Sequence, residues 1–123
     1  MKIQIRNSDI HGIGVFCIED ILKDEIIETC HLIILNEKDT KTIDDTFLYN
    51  YYFSWMNNGS AICLGNGSIY NHSTKPNSEY IKDFDNSIIR FIALKDIKVG
   101  EEILVNYNGI PDSDKKVWFE IKN

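Results

Sequence analysis

The sequence is poor in cysteine and proline: its 123 residues include three cysteines and two prolines. Cys17, Cys30 and Cys63 lie far apart, without the CxxC or Cys/His spacing of a zinc site, which argues against a metal site or a disulfide framework. No apolar run reaches the roughly 20 residues of a membrane-spanning helix, and the N-terminal MKIQIRNSDIHG is too polar for a secretory signal. We therefore expect a soluble intracellular protein, cytoplasmic or nuclear, with no metal and no membrane association.

Positive charge is also scarce, because 13 Lys and Arg residues face 19 Asp and Glu residues, for a net charge of −6. An acidic surface repels phosphate backbones, so we expect no direct nucleic-acid binding. The same field attracts Lys-rich peptides and proteins. The charge therefore favours a basic protein as the partner.

The length predicts a single domain with a modest core, and a core of this size gains from self-association, which leaves a homodimer open. Apolar residues make up 43% of the chain, so it should fold. Abundant isoleucine, with six Tyr and six Phe, favours β-strands, because branched and aromatic side chains suit a pleated, half-buried surface.

Alternating apolar and polar residues, bounded by turn signals, predict many short strands. Residues 36–46 are charged and lack Gly and Pro, which suits an exposed loop or one short helix. Residues 47–55 form an aromatic block. The predicted strands are 2–6, 14–20, 25–35, 61–65, 68–70, 78–84, 88–94 and 101–107.

One stretch of the chain resembles another, since Phe16–Glu28 and Phe91–Leu104 share several residues 76 positions apart. In both, a strand leads through Asp-Ile into a turn, then to Glu and a second strand. Two interpretations stay open: a chance recurrence of hairpin chemistry, or a quasi-symmetric pair of β-units. The shared residues are Asp20-Ile21 with Asp96-Ile97, and Glu25-x-Ile27 with Glu101-x-Ile103.

Two polar stretches are candidate sites, although each has an ordinary explanation. HGIGVF (11–16) lacks the third glycine of a dinucleotide fingerprint, so its glycines indicate either a turn or a backbone that a ligand approaches closely. In NHSTKPN (71–77), His72 and Ser73 are adjacent and point to opposite faces of a strand, which argues against a hydrolase dyad. Taken singly, either stretch could be a polar turn.

Taken in order, four stretches resemble the SET-domain protein-lysine methyltransferases. They are HGIGVF at 11–16, YYF at 51–53, NHSTKPN at 71–77 and GEEILVNY at 100–107. The chain is similar to the minimal SET proteins of bacteria and large viruses, and a viral member would act in the host cell.

The resemblance implies a mostly β fold, a β-clip of small curved sheets with a C-terminal pseudoknot. It implies one SET domain over 1–123, with a core at 4–107 and a tail at 108–123 that closes a lysine channel. Relatives with a zinc-binding tail carry Cys where Thr74 stands here, and this tail has no cysteine, so zinc is not expected.

The resemblance also implies S-adenosyl-L-methionine as cofactor and a lysine of a basic, histone-like or ribosomal protein as substrate. The alternative is a SET-like module that has lost catalysis and only binds a protein. Tyr107 is the implied catalytic residue. The implied cofactor-binding residues are His11, Gly12, Ile13, Gly14, Tyr51, Asn71 and His72, and the implied channel residues are Tyr51, Tyr107, Trp118 and Phe119.

Overall fold

The computed structural model describes residues 1–109, so the predicted channel residues Trp118 and Phe119 lie outside the described residues. Short strands dominate the described part, with one α-helix and two 3-10 turns. The strands are β1 (Ile3–Asn7), β2 (Ile13–Cys17), β3 (Ile26–Leu35), β4 (Phe53–Trp55), β5 (Gly59–Cys63), β6 (Asn71–His72), β7 (Ser78–Asp83), β8 (Ile88–Ala93) and β9 (Glu102–Val105). The helix is α1 (Glu37–Ile43), and the 3-10 turns are Phe47–Asn50 and Met56–Asn58.

The strands form two sheets, in the orders β1-β2-β9-β6 and β4-β5-β3-β8-β7. Neighbouring strands pair antiparallel except β6 and β9, which are parallel. The predicted mostly β class is confirmed. The longest helix in residues 1–109 has seven residues, and none of the described helices could cross a membrane.

The β7–β8 hairpin confirms the alternation found in the sequence. Ile88, Ile89, Phe91 and Ala93 of β8 are buried, and the strand pairs in regular register from Ser78 opposite Ala93 onward. Ring stacking continues the core beyond the hairpin, because the Phe91 and Tyr70 rings lie 4.1 Å apart at 15°. Burying one large apolar side chain contributes about 1.5–3 kcal/mol, so this ring pair stabilises the core.

The internal resemblance corresponds to two packed units, the first unit (Phe16–Glu28) and the second unit (Phe91–Leu104). Ile21 and Ile97 form an antiparallel bridge, each backbone N–H donating to the other residue's carbonyl at 2.9 and 2.8 Å. Both isoleucines are fully buried. The structure therefore favours the quasi-symmetric interpretation over chance recurrence.

The predicted strand at 68–70 is wrong. Those residues lie in a turn in which the Ile69 N–H donates to the Asn66 carbonyl at 2.9 Å. Gly67 is packed so closely that a Cβ there would overlap Cys63 and approach the Cys30 sulfur. The chain turns against these thiols, and strand pairing starts only at Asn71.

The NHSTKPN segment and the last described strand meet where β6 pairs with β9. Asn77 bonds one edge of β9: its Nδ2 donates to the Glu102 carbonyl, and its Oδ1 accepts from the Leu104 N–H, both at 2.9 Å. Ser78 Oγ adds a bond to the Leu104 carbonyl at 2.8 Å. These contacts lie at the crossing predicted as a pseudoknot, whose tail beyond residue 109 lies outside the described residues.

Candidate active site

Two adjacent cavities lie where the sheets meet, with volumes of about 300 and 560 Å³. The four residues Asn50, Tyr51, Ser68 and Tyr107 line both of them. Ser68 Oγ donates to the Tyr51 carbonyl at 2.8 Å, which ties two parts of this shared wall together. A ligand in either cavity would thus meet Tyr51 and Tyr107.

The larger cavity contains most of the predicted cofactor residues. His11, Gly12 and Ile13 line it together with Asn71 and Tyr51. Gly14 and His72, also predicted as cofactor-binding, are not in its lining. The remaining lining residues are Phe47, Asn50, Ser68, Ile69 and Tyr107.

The two glycines of HGIGVF are needed for different reasons. Gly12 has a φ of 49°, in the left-handed region, and nothing lies within 4 Å of where its Cβ would be. Gly14 is needed for space, because a Cβ there would overlap Glu102 Oε2 and lie 3.0 Å from Asn71 Nδ2. The first glycine therefore bends the loop, and the second lets two polar side chains pack against it.

Asn71 has one defined amide orientation. Its Nδ2 donates toward the carbonyls of His11 at 3.0 Å and Ile13 at 3.1 Å, and toward Glu102 Oε2 at 2.7 Å. The reversed orientation would set the amide oxygen against three other oxygens. The Asn71 Oδ1 is therefore the amide atom that can accept a hydrogen bond from a ligand.

His72 supports Tyr107 instead of lining a cavity. Its Nδ1 accepts from the Tyr107 backbone N–H at 2.9 Å, and the two rings lie 5.1 Å apart. Burial lowers the pKa of His72, so the ring is neutral and carries its proton on Nε2. Nε2 has no partner among the described residues. The proposed contact of the His72 backbone with an adenine stays a prediction.

The Tyr107 hydroxyl is held by a carbonyl. It donates to the Tyr70 carbonyl at 2.6 Å, and burial raises the pKa of Tyr107 above its ordinary value. The phenol therefore stays protonated at neutral pH, with its proton directed at Tyr70. Toward a bound ligand, the oxygen can act only as a hydrogen-bond acceptor.

Half of the residues that line the smaller cavity are aromatic. Tyr80 donates its hydroxyl to the Tyr107 carbonyl at 2.8 Å, and burial raises the pKa of Tyr80 to about 12. Lys82 is the one charged residue in the described lining, and its Nζ donates to the Ser54 carbonyl at 2.7 Å. The aromatic lining residues are Tyr49, Tyr51, Tyr52, Phe53, Tyr70, Tyr80 and Tyr107.

Sequence reasoning missed two polar residues around the site, Glu102 and Tyr70. Glu102 binds both Asn71 and Ser8, and its only sequence signal was its place in the GEEILVNY stretch. Tyr70 supplies the carbonyl for Tyr107, while its own hydroxyl donates to the buried Glu28 at 2.7 Å. Across residues 1–109, no group of three or more His, Cys, Asp or Glu side chains could hold a metal ion.

Comparisons with known proteins agree with this geometry. The SET domain family model matches residues 12–108. The chain is 29% identical over 119 residues to a Schizosaccharomyces pombe histone-lysine N-methyltransferase named as H3 lysine-37 specific, covering 96% of this chain and 77% of that protein. It is 34% identical to the variant-silencing SET domain-containing protein of Plasmodium falciparum, but spans only 5% of that protein's length.

A solved structure extends the likeness to three dimensions. It is a Plasmodium falciparum protein named as a candidate histone methyltransferase, with 33% identity and a TM-score of 0.67. The match covers 86% of this chain and 92% of that one.

The enzyme class predicted from the sequence, protein-lysine methyltransferase, is confirmed by these relatives. With the family model matched over most of its length and its motif stretches gathered around two joined cavities, this chain belongs to the SET domain family.

Proposed function

We propose that the protein transfers a methyl group from S-adenosyl-L-methionine to the side-chain amine of a lysine in a basic protein. The observation that carries the proposal is the position of Tyr107 in the wall shared by the two cavities. A group in that wall can contact a cofactor on one side and a substrate side chain on the other.

The larger cavity fits the cofactor by size and by chemistry. Its volume of about 560 Å³ lies in the ordinary range of small-molecule sites. Asn71 Oδ1 and the backbone of His11 to Ile13 suit a charged amino-acid end, and the ring pair Phe47 and Tyr51, with centroids 5.3 Å apart, suits a purine. When bound, the cofactor supplies an electrophilic methyl group on a sulfonium.

The smaller cavity suits a lysine side chain that must lose its proton. A free lysine has a pKa of about 10.4, so very little of it is neutral at pH 7. Burial among aromatic rings disfavours the ammonium form. The lining contains no carboxylate among the described residues, and Lys82 adds a like charge. Each feature favours the neutral amine.

Tyr107 orients the reacting groups in this proposal. Its oxygen faces ligands as an acceptor, because its proton goes to the Tyr70 carbonyl. His72 holds the Tyr107 backbone from one side, and Tyr80 holds the carbonyl from another. A group fixed at three points loses little freedom when the substrate binds, and such positioning is a large part of catalysis in two-reactant transfers.

A histone-like protein is the proposed substrate class. The net charge of −6 attracts basic segments, and the S. pombe relative is named for a histone lysine. The competing function is a SET-like module that binds a protein without catalysis. It does not require a cofactor-sized cavity joined to an aromatic one.

Two measurements test the proposal. Calorimetric titration with S-adenosylhomocysteine should show one site per chain, and mass spectrometry of core histones incubated with the protein and cofactor should show added methyl groups on lysine. Peptides with arginine in place of the modified lysine serve as the control and should stay unmodified. Absence of both S-adenosylhomocysteine binding and methylated lysine would reject the methyltransferase and favour the non-catalytic module, which needs no cofactor. Cofactor binding without any methylated lysine would reject histones as the substrate class or point to a module that has kept the cofactor site and lost catalysis.

A further inference from the structure

Glu102 lies behind the ligand-facing residues of the larger cavity, at the centre of a hydrogen-bond network. Its Oε2 accepts from Asn71 Nδ2 at 2.7 Å, and its Oε1 accepts from Ser8 Oγ at 2.7 Å. Ser8 Oγ in turn accepts from the backbone N–H groups of Ile10 at 3.0 Å and His11 at 3.3 Å. One carboxylate thus connects β9, β6 and the loop that enters β2.

The charge of this carboxylate has no ion-pair partner among residues 1–109. The four ion pairs found there involve other residues. Ser8 and Asn71, the two side chains that donate to Glu102, are both neutral. A half-buried carboxylate without a cation is costly to desolvate, so a site for a positively charged ligand group nearby would explain its presence.

The first unit shows whether the fold alone requires an acidic residue at position 102. Position 26 of the first unit corresponds to position 102 of the second unit, and it holds Ile26, an exposed apolar residue that is 53% accessible. The strand geometry therefore does not demand an acid. Gly14 has no Cβ, and Glu102 and Asn71 pack into the space that a Cβ there would occupy. Positions 14 and 102 are therefore both adapted to this contact.

We propose that Glu102 is a positioning residue that sets the orientation of Asn71 and supplies the negative potential which selects the α-ammonium group of the cofactor. The inference rests on the proposed function, since it takes the cofactor to occupy the larger cavity. The Asn71 amide has two hydrogens directed among three oxygens, one of them charged. Polarisation by the carboxylate strengthens Asn71 Oδ1 as an acceptor for a cationic donor.

The test compares two probes, S-adenosylhomocysteine and its deaminated analogue, in which hydrogen replaces the α-amino group. Wild type should bind S-adenosylhomocysteine at least about tenfold more tightly than the analogue, because a nearby opposite charge at moderate dielectric is worth about that much. The variant Glu102→Gln keeps the shape and loses the charge. It should weaken S-adenosylhomocysteine about tenfold and change the affinity for the analogue less than about twofold.

Ser8→Ala is the matched control, because it removes a bond to the same carboxylate and leaves the charge in place. It should weaken both probes to the same extent, through a less ordered loop. An equal loss of both probes in Glu102→Gln would mean a merely structural role and would overturn the inference. Equal affinity of wild type for the two probes would overturn it without any variant, even if Glu102→Gln failed to fold. Failure of wild type to bind S-adenosylhomocysteine would instead reject the proposed function.

Discussion

The first and second units share one hydrogen-bond scheme but contribute unequally to the site. Asp20 of the first unit accepts from the Val99 N–H at 3.0 Å, and Asp96 of the second unit accepts from the Lys23 N–H at 2.8 Å. Each unit therefore caps the turn of the other, and the bond partners are related by the same sequence offset. The pair forms a scaffold that neither unit could complete alone.

The units differ in the side chains carried by the strand after each turn. The second unit places Glu102 against Asn71, and five residues later the chain reaches Tyr107. By the offset between the units, Glu102 corresponds to Ile26 and Tyr107 to His31. Both of these residues are exposed on β3. The two frames are therefore alike in their backbone bonds, and the second one carries the carboxylate that contacts Asn71.

The largest expected effect comes from removing the Tyr107 hydroxyl. Tyr107→Phe should lower kcat about 10²–10³-fold, the usual loss for one oriented polar group at a reacting centre. The dissociation constant for S-adenosylhomocysteine should change little, because the ring remains in the cavity wall. Steady-state kinetics and calorimetry measure the two quantities.

The control for that variant is His31→Phe, at the corresponding position beside the first unit. It should leave kcat unchanged, since His31 lies exposed on β3 away from both cavity linings. A comparable loss in both variants would mean that the two units do not differ in function as described.

The pH dependence of the rate gives the next largest effect. Between about pH 7 and 9, the chemical step should accelerate by up to about tenfold per pH unit, because the neutral fraction of a substrate lysine rises in that range. Neither Tyr107, whose pKa burial raises, nor His72, whose pKa burial lowers, changes its protonation state there. A flat single-turnover profile would contradict a rate limited by lysine deprotonation.

Removing either aspartate that caps the other unit's turn should lower the free energy of unfolding by about the same amount. Asp20→Ala and Asp96→Ala should each lower the free energy of unfolding by about 1 kcal/mol, the usual worth of one such hydrogen bond. Urea unfolding at neutral pH measures both, with Asp85→Ala in the β7–β8 turn as the control. Losses that differ by more than about 1 kcal/mol would show that the scheme is not symmetric in energy.

The smallest effect concerns the turn residue itself. Asp24 has a φ of 70°, and Gly100 at the corresponding position has 91°. Asp24→Gly should raise the free energy of unfolding by about 0.5 kcal/mol, because relief of left-handed strain exceeds the added entropy of the unfolded chain. Gly100→Asp should lower it by about 1 kcal/mol. Urea unfolding measures both changes, and a loss of stability in Asp24→Gly would mean that the aspartate makes a favourable contact.

The elements that depend on local patterns were predictable from sequence. The β7–β8 hairpin follows from its alternation and its central turn, and α1 follows from a charged segment that Asn36 caps through its side chain. The strand predicted at 68–70 failed because the apolar character of Ile69 and Tyr70 reflects packing of a turn against the core. Short apolar runs do not distinguish these cases.

The site was predictable only in part, because its contacts join residues distant in sequence. Asn71 and Tyr107 were found through a resemblance to a family, whereas the only sequence signal of Glu102 was its place in the GEEILVNY stretch. Its carboxylate accepts a hydrogen bond from Ser8, 94 positions away. The channel roles of Trp118 and Phe119 stay predictions, since both lie outside the described residues.

The parallel pairing of β6 with β9 has a consequence for how the molecule is made. Asn71 pairs with Leu104, and the β7–β8 hairpin must form in the intervening chain. Parallel contacts between distant segments form slowly, after the local hairpins. The larger cavity therefore exists only once synthesis has passed residue 107. A ligand of that cavity binds only the folded chain. A higher ligand concentration during synthesis should therefore shift newly made molecules toward the native state.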